Sequence, residues 1–499
     1  MNKELQKKIP EHVVWVLGRL QNAGFESFIV GGCVRDLFIE RTPNDWDITT
    51  NAIPEQIMEV FEETDMRVVY ENSFGTVGIV NKELEKDDVS YEIEVTPYRT
   101  ETTYSDGRHP DSVTFSDSIN EDVKRRDFTI NAMAYDPISN ILVDNYEGQK
   151  DLKTKIIKTV GDAEERFGED ALRIMRAVRF SAQLGFICEN ETILALKKGA
   201  LNLEKISAER IRDEFIKIVD ADYAKDGLEM LRSYGLLEYI IPELLEGVDM
   251  EQGGAHDFDV WTHLVKSLEH GTNKQYPFHV KLAALFHDIG KPRSRRAANG
   301  RGSKEWTFYG HEVIGANMSE KILKRLKFPN DIREKVVKLV RYHMFFSDPD
   351  EISLSAVRRM VKNVGKDMIW ELMDLRTCDR IGTGRPKEKP YRLRKYHAMI
   401  EEVLRDPISV GMLKLNGDIM IAEMNLKPGR KMGWVLHALL EEVLDDPKKN
   451  TREYLEKRAR EMYELSDNEI QKLGEAGKDK RDYEEFNAVK KLHRKHKVE

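Results

Sequence analysis

Cysteine is scarce: Cys33, Cys188 and Cys378 are the only three in 499 residues. They are too few and too far apart for a disulfide framework or a zinc motif, so a reducing, cytoplasmic setting is expected. No apolar run approaches the roughly 20 residues that a membrane helix needs, so no membrane association is expected. The opening stretch MNKELQKKIPEHVVWVLGRL reads as an amphipathic helix without the apolar centre of a signal peptide. There is no fixed-period repeat and no long low-complexity linker. Positive charge is not in excess either: the formal net charge is −9, which argues against a uniformly basic coat for nucleic acid. Basic clusters do occur at residues 291–304, 385–397 and 490–497. Each reads as solvated surface unless a separate line of reasoning calls for phosphate contacts.

What is present is ample apolar content, 40%, and a heavily charged remainder, 33%, enough for roughly two to four domains. The first 150 residues or so mix strand and helix signals. SFIV, DWDITT, RVVY, GTVGIV, VSYEIEVTPY, DSVTF and ILVD read as short strands, while CVRDLFIE and the proline-opened IPEQIMEVFEET read as helices. Beyond about residue 162 strand signals almost vanish, and stretches such as EDALRIMRAVRFSAQLGF and AERIRDEFIKIV carry apolar residues at helical spacing. The expected fold class is α+β: a head with a small mixed sheet and helices, followed by a long all-α region.

Two places in the head carry chemistry. In FIVGGCVRD, Gly31 and Gly32 stand between a strand and a helix, where backbone N–H groups can approach a phosphate. Arg35 and Asp36 follow, either as a local ion pair or as a phosphate clamp. In PNDWDITT, Asp45 and Asp47 are two apart, and on a strand such residues share a face. Side-by-side carboxylates repel unless a cation lies between them, and oxygen ligands of this kind suit Mg²⁺. Glu92 and Glu94 in YEIEVTPYRTE offer a third carboxylate, enough for a two-metal phosphoryl-transfer site. Trp46, facing the other way, is expected in the core.

Taken in order, IVGGCVRD, TPNDWDITTNA, EVTPYRTETTYSDGRHPDSVTF, VKRRDFTINAMAYD, RFGEDALRIMRAVRFSAQLGF and AERIRDEF resemble the class II tRNA nucleotidyltransferases and bacterial poly(A) polymerases over roughly residues 28–215. The resemblance implies a nucleotidyltransferase-fold head that extends RNA 3′ ends without a nucleic-acid template. It assigns metal binding to Asp45 and Asp47 and points to Glu94, with Glu92 as the alternative, for the third carboxylate. It further implies sugar and triphosphate contacts for Arg126, Asp127 and Asn131, beside Arg125.

Asp170 and Arg173, three apart in a helical pattern, are expected to share a face. A carboxylate accepting from an exocyclic amino group beside a guanidinium donating to a ring nitrogen suits cytosine and adenine, and mismatches uracil and guanine. The plain alternative is a helical ion pair; the resemblance makes the pair the nucleotide-selecting motif and implies CTP and ATP as substrates. Arg176 and Arg179 continue the stripe toward phosphates or tRNA. The polar segment 99–111 reads as a mobile loop; the resemblance implies that such a loop goes with addition of the terminal A, and it does not separate a complete CCA-adding enzyme from an A-adding one.

Further along come His263, then His287 and Asp288 in LFHDIGKP, then His311, His343 and Asp379. This order resembles the HD phosphohydrolase superfamily across about residues 255–385. It implies a divalent-metal site from His263, His287, Asp288 and Asp379, with His311 and His343 as candidate second-metal or substrate ligands and Lys291 as a phosphate neutraliser. The expected organisation is a catalytic head (1–150), a helical neck with the selecting motif (151–245), an HD domain (246–385), and a helical body and tail that binds tRNA (386–499). The expected activity is addition of C, C and A to the 3′ end of tRNA. The rivals are an A-adding enzyme or poly(A) polymerase on the same fold and, more distantly, a phosphohydrolase acting through the HD site. Monomer and homodimer both stay open.

Overall fold

The computed structural model describes residues 6–70, 75–86, 88–101, 113–253, 257–298, 306–345, 352–405 and 409–498. Two compact units divide the chain: residues 1–343 with 374–385, and residues 344–373 with 386–499.

The first unit opens with strands β1 (Ser27–Val30), β2 (Asp47–Thr50), β3 (Arg67–Tyr70), β4 (Val77–Val80), β5 (Glu92–Pro97), β6 (Arg99–Glu101), β7 (Val113–Phe115), β8 (Ala134–Asp136) and β9 (Ile141–Val143). Seven of these form one mixed sheet in the order β3-β4-β5-β2-β1-β8-β9, and β6 and β7 pair as a separate ribbon. Only β2 and β5 run parallel within the large sheet; the register sets Asp47 opposite Glu94 and Ile48 opposite Val95. Strand β5 alternates, with Ile93 and Val95 buried and Glu92 and Glu94 exposed, as period two demands of a sheet covered on one face. Strand β8 was not anticipated. All three of its residues are buried, and a fully buried strand shows no alternation to mark it.

Only part of DWDITT is strand. Strand β2 begins at Asp47, and Asp45 lies in the bend before it. The two acids therefore do not share a strand face, which corrects the spacing expectation. Trp46 is in the core, 1% exposed, and anchors the entry to the strand. Residues 102–112, which hold most of the expected loop, lie outside the described residues.

Beyond the sheet the unit is helical apart from two-residue strands such as Ile156–Ile157 and Ile187–Cys188, which pair in parallel. Helix Leu172–Leu184 packs on Ala208–Val219, and Val260–Asn273 packs on Phe278–Phe286.

The second unit is helical. Leu439, Leu440, Leu455 and Ile470 lie in its core, and helices Arg430–Asp445 and Asp467–Lys495 approach very closely. A Cβ on Gly477 would sit 2.2 Å from the His437 carbonyl oxygen, so only glycine fits there. Among the described residues no helix is long and apolar enough to cross a membrane.

Candidate functional site

The head site gathers at the end of β1. Gly31 has φ +83°, and a Cβ there would lie 3.0 Å from Arg126 Nη1 and 3.8 Å from Asp47 Oδ2. The backbone conformation favours glycine and the space is tight, so the glycine leaves backbone, guanidinium and carboxylate in one small volume. Gly32 then opens the short helix Gly32–Phe38. Burial and the neighbouring Asp45 push the Asp47 carboxyl up to about 6, and Arg126 works against that rise. Glu94, exposed and in register with Asp47 on the adjacent parallel strand, supplies the nearest strand-borne acid. Glu92 is opposite Val80 on β4, two residues farther along. A half-buried acid, reluctant to ionise beside a second one, is the donor set that a hard divalent cation relieves. Asp45, Asp47 and Glu94 would hold such an ion.

Arg35 makes the local ion pair that the sequence allowed and also reaches Asn131. Its Nε and Nη2 donate to Asp36 at 2.9 and 3.0 Å, and its Nη1 donates to Asn131 Oδ1 at 2.9 Å. Asp127 accepts from Arg176 Nε at 2.7 Å and from Asn131 at 3.2 Å. Burial opposes ionisation of Asp127, but Arg176 and Asn131 overcome it and hold the carboxyl at about 2. Phe180 sits at the centre of three cations, with Arg35, Arg176 and Arg179 at 5.2, 5.3 and 4.1 Å from its ring. Burial and Arg176 push the Arg179 guanidinium down to about 10, and Glu214 lies 3.1 Å away as its counter-charge.

Asp170 and Arg173 differ from the expectation. Asp170 stands in extended backbone after helix Ala163–Glu169, and the next helix begins at Leu172, so the two residues do not sit on one helical face. Nor are they each other's partners. Asp170 accepts Arg210 Nη1 at 3.3 Å, Arg210 Nη2 at 2.7 Å and the Leu172 N–H at 2.9 Å. Arg173 pairs with Glu169 and donates to the carbonyls of Arg166 and Arg125 at 3.0 and 3.3 Å. The last contact ties this segment to the Arg125-Arg126-Asp127 segment. Arg210, Glu214, Glu169 and Asp122, which holds Arg125 and Arg126, were not singled out from sequence. Arg210 and Glu214 lie in AERIRDEF at helical i,i+4 spacing, a signal that marks a shared face and leaves its partners open.

A second centre lies in the helical part of the same unit. His263 Nε2 is 2.9 Å from His287 Nε2, 3.1 Å from Asp288 Oδ2 and 3.5 Å from Asp379 Oδ1. On the other side of the same carboxylate, His311 Nε2 is 3.2 Å and His343 Nε2 3.6 Å from Asp288 Oδ1. The Nδ1 atoms of His287, His311 and His343 lie 2.8, 2.7 and 2.7 Å from the carbonyl oxygens of Ala284, Phe308 and Val340. A carbonyl only accepts, so each Nδ1 carries a proton and each Nε2 faces inward, as a lone pair wherever the ring is neutral. Lone pairs and carboxylates converging in a buried space fit a divalent cation. Asp288 belongs to two ligand groups, with His263 and His287 and with His311 and His343. Burial opposes charge on His287, yet Asp288 and Asp379 push it up to about 10. Lys291 and His287 hold Asp288 well below the usual carboxylate range despite its burial. Lys291 bridges Asp288 and Gln252 at 2.6 Å each. Gly290 permits this closure, since a Cβ there would meet the His311 carbonyl oxygen at 2.3 Å.

Comparison with known proteins converges on one group. Residues 27–158 match the poly A polymerase head domain, residues 185–247 the probable RNA and SrmB-binding site of polymerase A, and residues 260–382 the HD domain. The CCA-adding enzyme of Streptococcus thermophilus is 31% identical over 451 residues, covering 90% of this chain and 95% of that one. The CCA-adding enzyme of Leuconostoc citreum is 46% identical over 226 residues, 45% of this chain; the match spans about half of that relative, 53%. Among solved structures, the Bacillus stearothermophilus CCA-adding enzyme in complex with CTP superposes with a TM-score of 0.57 at 26% identity, covering 92% of this chain and 98% of that one. A Thermotoga maritima CCA-adding enzyme complexed with tRNA shares the fold, with a TM-score of 0.51 at 18% identity over 92% of this chain and 97% of that one.

Proposed function

The chain belongs to the CCA-adding enzyme family, and from that premise we propose that it adds C, C and A to the 3′ end of tRNA from CTP and ATP without a nucleic-acid template. The observation that carries the reading is the register of β2 and β5, which sets Glu94 beside Asp47, with Asp45 in the preceding bend and Arg126 against Gly31. Asp45, Asp47 and Glu94 are the residues proposed to hold Mg²⁺, which when bound would activate the attacking hydroxyl and stabilise the leaving pyrophosphate.

The remaining roles belong to the chain's own side chains. Arg126 and Arg35 offer guanidinium forks for triphosphate oxygens. Asp127 and Asn131, already fixed by Arg176 and Arg35, are set to hydrogen-bond the nucleotide sugar. Asp170 accepts from the exocyclic amino group of cytosine or adenine, and Arg173 donates to the ring nitrogen. Uracil and guanine meet an acceptor where a donor is needed, and an unsatisfied buried pair costs about 1–3 kcal/mol. The basic surfaces, including the helix end at 490–497, are proposed to follow the phosphates of tRNA, and such a task belongs to the cytoplasm.

A second reading is favoured for the HD region by one observation, the closure of four imidazoles and two carboxylates around a buried space. We infer a metal-dependent phosphohydrolase centre there, independent of nucleotide addition. The deciding experiment supplies transcripts ending at the discriminator base, at C and at CC, with CTP and ATP separately and together, and sequences the products. Restoration of CCA on the shortest transcript supports the reading; A on the CC transcript alone selects an A-adding enzyme, and long A tails select a poly(A) polymerase.

A further inference from the structure

Asp122 has no place in the reaction just described, yet it is among the most completely enclosed acids of the head. It is 0% exposed on the short helix Ile119–Lys124. Its Oδ1 accepts Arg125 Nε at 3.0 Å and Arg125 Nη2 at 2.8 Å, and its Oδ2 accepts Arg126 Nη2 at 3.2 Å. A buried carboxylate needs a counter-charge; one arginine would satisfy that need, and this one takes two adjacent in sequence. Burial opposes its ionisation, but Arg125 and Arg126 hold it below the usual carboxylate range.

The other end of Arg126 shows what the arrangement achieves. Its Nη1 lies against Gly31, near the place Asp47 Oδ2 occupies, and its charge is felt by Asp47. A guanidinium this close to Asp47 has two ways to be neutralised. It can close a charge-assisted hydrogen bond onto Asp47 and so take the position of a cation, or it can be held by another acid. In this structure Arg126 pairs with Asp122.

We propose that Asp122 is a positioning residue that restrains Arg126 from collapsing onto the Asp45–Asp47 carboxylates, leaving those acids open to a divalent cation and the guanidinium open to a nucleotide triphosphate. This rests on the head's proposed role in nucleotide addition.

Asp122→Asn keeps the shape and removes the charge. The half-saturating Mg²⁺ concentration for CMP incorporation is expected to rise by about tenfold, the usual cost of disturbing a residue that orients metal ligands, with KM for CTP rising in parallel. The readout independent of activity is Mn²⁺ affinity by EPR titration of the full chain carrying Asp288→Ala, which disables the second centre. There Asp122→Asn weakens Mn²⁺ binding, and adding Arg126→Ala restores it while leaving KM for CTP high. A residue that merely stabilises the fold would not give restoration by deleting a second charge. Unchanged Mg²⁺ and Mn²⁺ dependence in Asp122→Asn, or no recovery in the double variant, overturns the proposal. If Asp122→Asn does not fold, Asp122→Glu serves: with the charge kept, Mn²⁺ affinity stays near wild type, and a loss that Arg126→Ala leaves unrepaired refutes the proposal. If the wild-type chain incorporates no nucleotide, the functional reading fails, and the Mn²⁺ arm still decides the role of Asp122.

Discussion

Asp47 stands at the start of a strand with the exposed Glu94 beside it on the neighbouring interior strand, whereas Asp288 stands at the end of a helix with imidazoles closed around both of its oxygens. The first set is incomplete by itself: burial and Asp45 leave Asp47 reluctant to ionise, with a carboxyl near 6. The second set already neutralises itself, because Lys291 and His287 compensate Asp288 and hold it well below its ordinary range. On the proposed reading, the difference teaches how the same residue type would serve two kinds of metal chemistry. A site meant to receive its cation with a nucleotide must stay open, at a cost in acid–acid repulsion. A site meant to keep its metal can be buried and preassembled, with three of its four rings oriented by backbone carbonyls.

The largest effect should come from breaking the open site. Asp47→Asn is expected to lower CMP and AMP incorporation by at least about a thousandfold, roughly 4 kcal/mol of transition-state stabilisation. Metal content of the second centre, measured by elemental analysis after gel filtration, should not change. Loss of both together would mean the two centres are one functional system. Next in size is the converse. Asp288→Asn removes the charge shared by both imidazole groups and should lower stability by about 3 kcal/mol, as breaking a buried charge network does. Thermal melts with and without chelator should then coincide, whereas the wild type should melt lower with chelator. Incorporation below the melting transition should hold within about twofold, as for sites without shared partners.

How far these sites could be read from the chain depended on where their partners lie. Alternation in β5 and the strand after Asp47 are local, so the face shared by Glu92 and Glu94, the buried Trp46 and the Gly31 turn were visible from spacing alone, whereas the preference for Glu94 came from the family resemblance. The six metal-type residues of the second centre were visible through their order, the adjacent His287 and Asp288, and family resemblance, since the others come from different elements that no spacing rule joins. The geometry of Asp45 was misjudged because a strand can begin inside an apparent period-two pattern. Asp170 was misjudged for a different reason. Its i,i+3 relation to Arg173 is real in sequence, but Asp170 lies just outside the helix and its carboxylate goes to Arg210, 40 residues later. Local spacing proposes a partner; tertiary packing chooses one, and the chosen counter-ions Arg210, Glu214 and Asp122 were therefore the residues left unread.

Arg210 offers the next test, because it brings into the open site a preassembled element of the kind that characterises the buried one. Its fork fixes the plane of the Asp170 carboxylate and leaves room for one more donor. Arg210→Ala should reduce the preference for CTP over UTP by about tenfold, near 1.4 kcal/mol, with Arg210→Lys intermediate because it keeps the charge without the fork. The measurement is the ratio of kcat/KM values. A loss of both in equal proportion would show that Arg210 supports the fold and leaves selection untouched.

The smallest effect discriminates between two neighbouring acids. Glu92 and Glu94 are both exposed on one face of β5, and the chain alone left either as the third carboxylate. Register separates them: Glu94 is level with Asp47, whereas Glu92, opposite Val80 on β4, lies two residues before the β2–β5 pairing begins. At about 3.3 Å per residue, Glu92 is displaced by nearly 7 Å along the strand, too far for one oxygen to bridge the cation held by Asp47. An exposed carboxylate at that range acts only through a screened field. Glu92→Gln should therefore change incorporation by less than about twofold and weaken further as salt is raised, while Glu94→Gln, measured in the same assay, should approach the loss seen for Asp47→Asn. If the two glutamates exchanged their effects, the parallel β2–β5 pairing would not be what places the third ligand, and the contrast between an open, strand-built site and a closed, helix-built one would lose its structural basis.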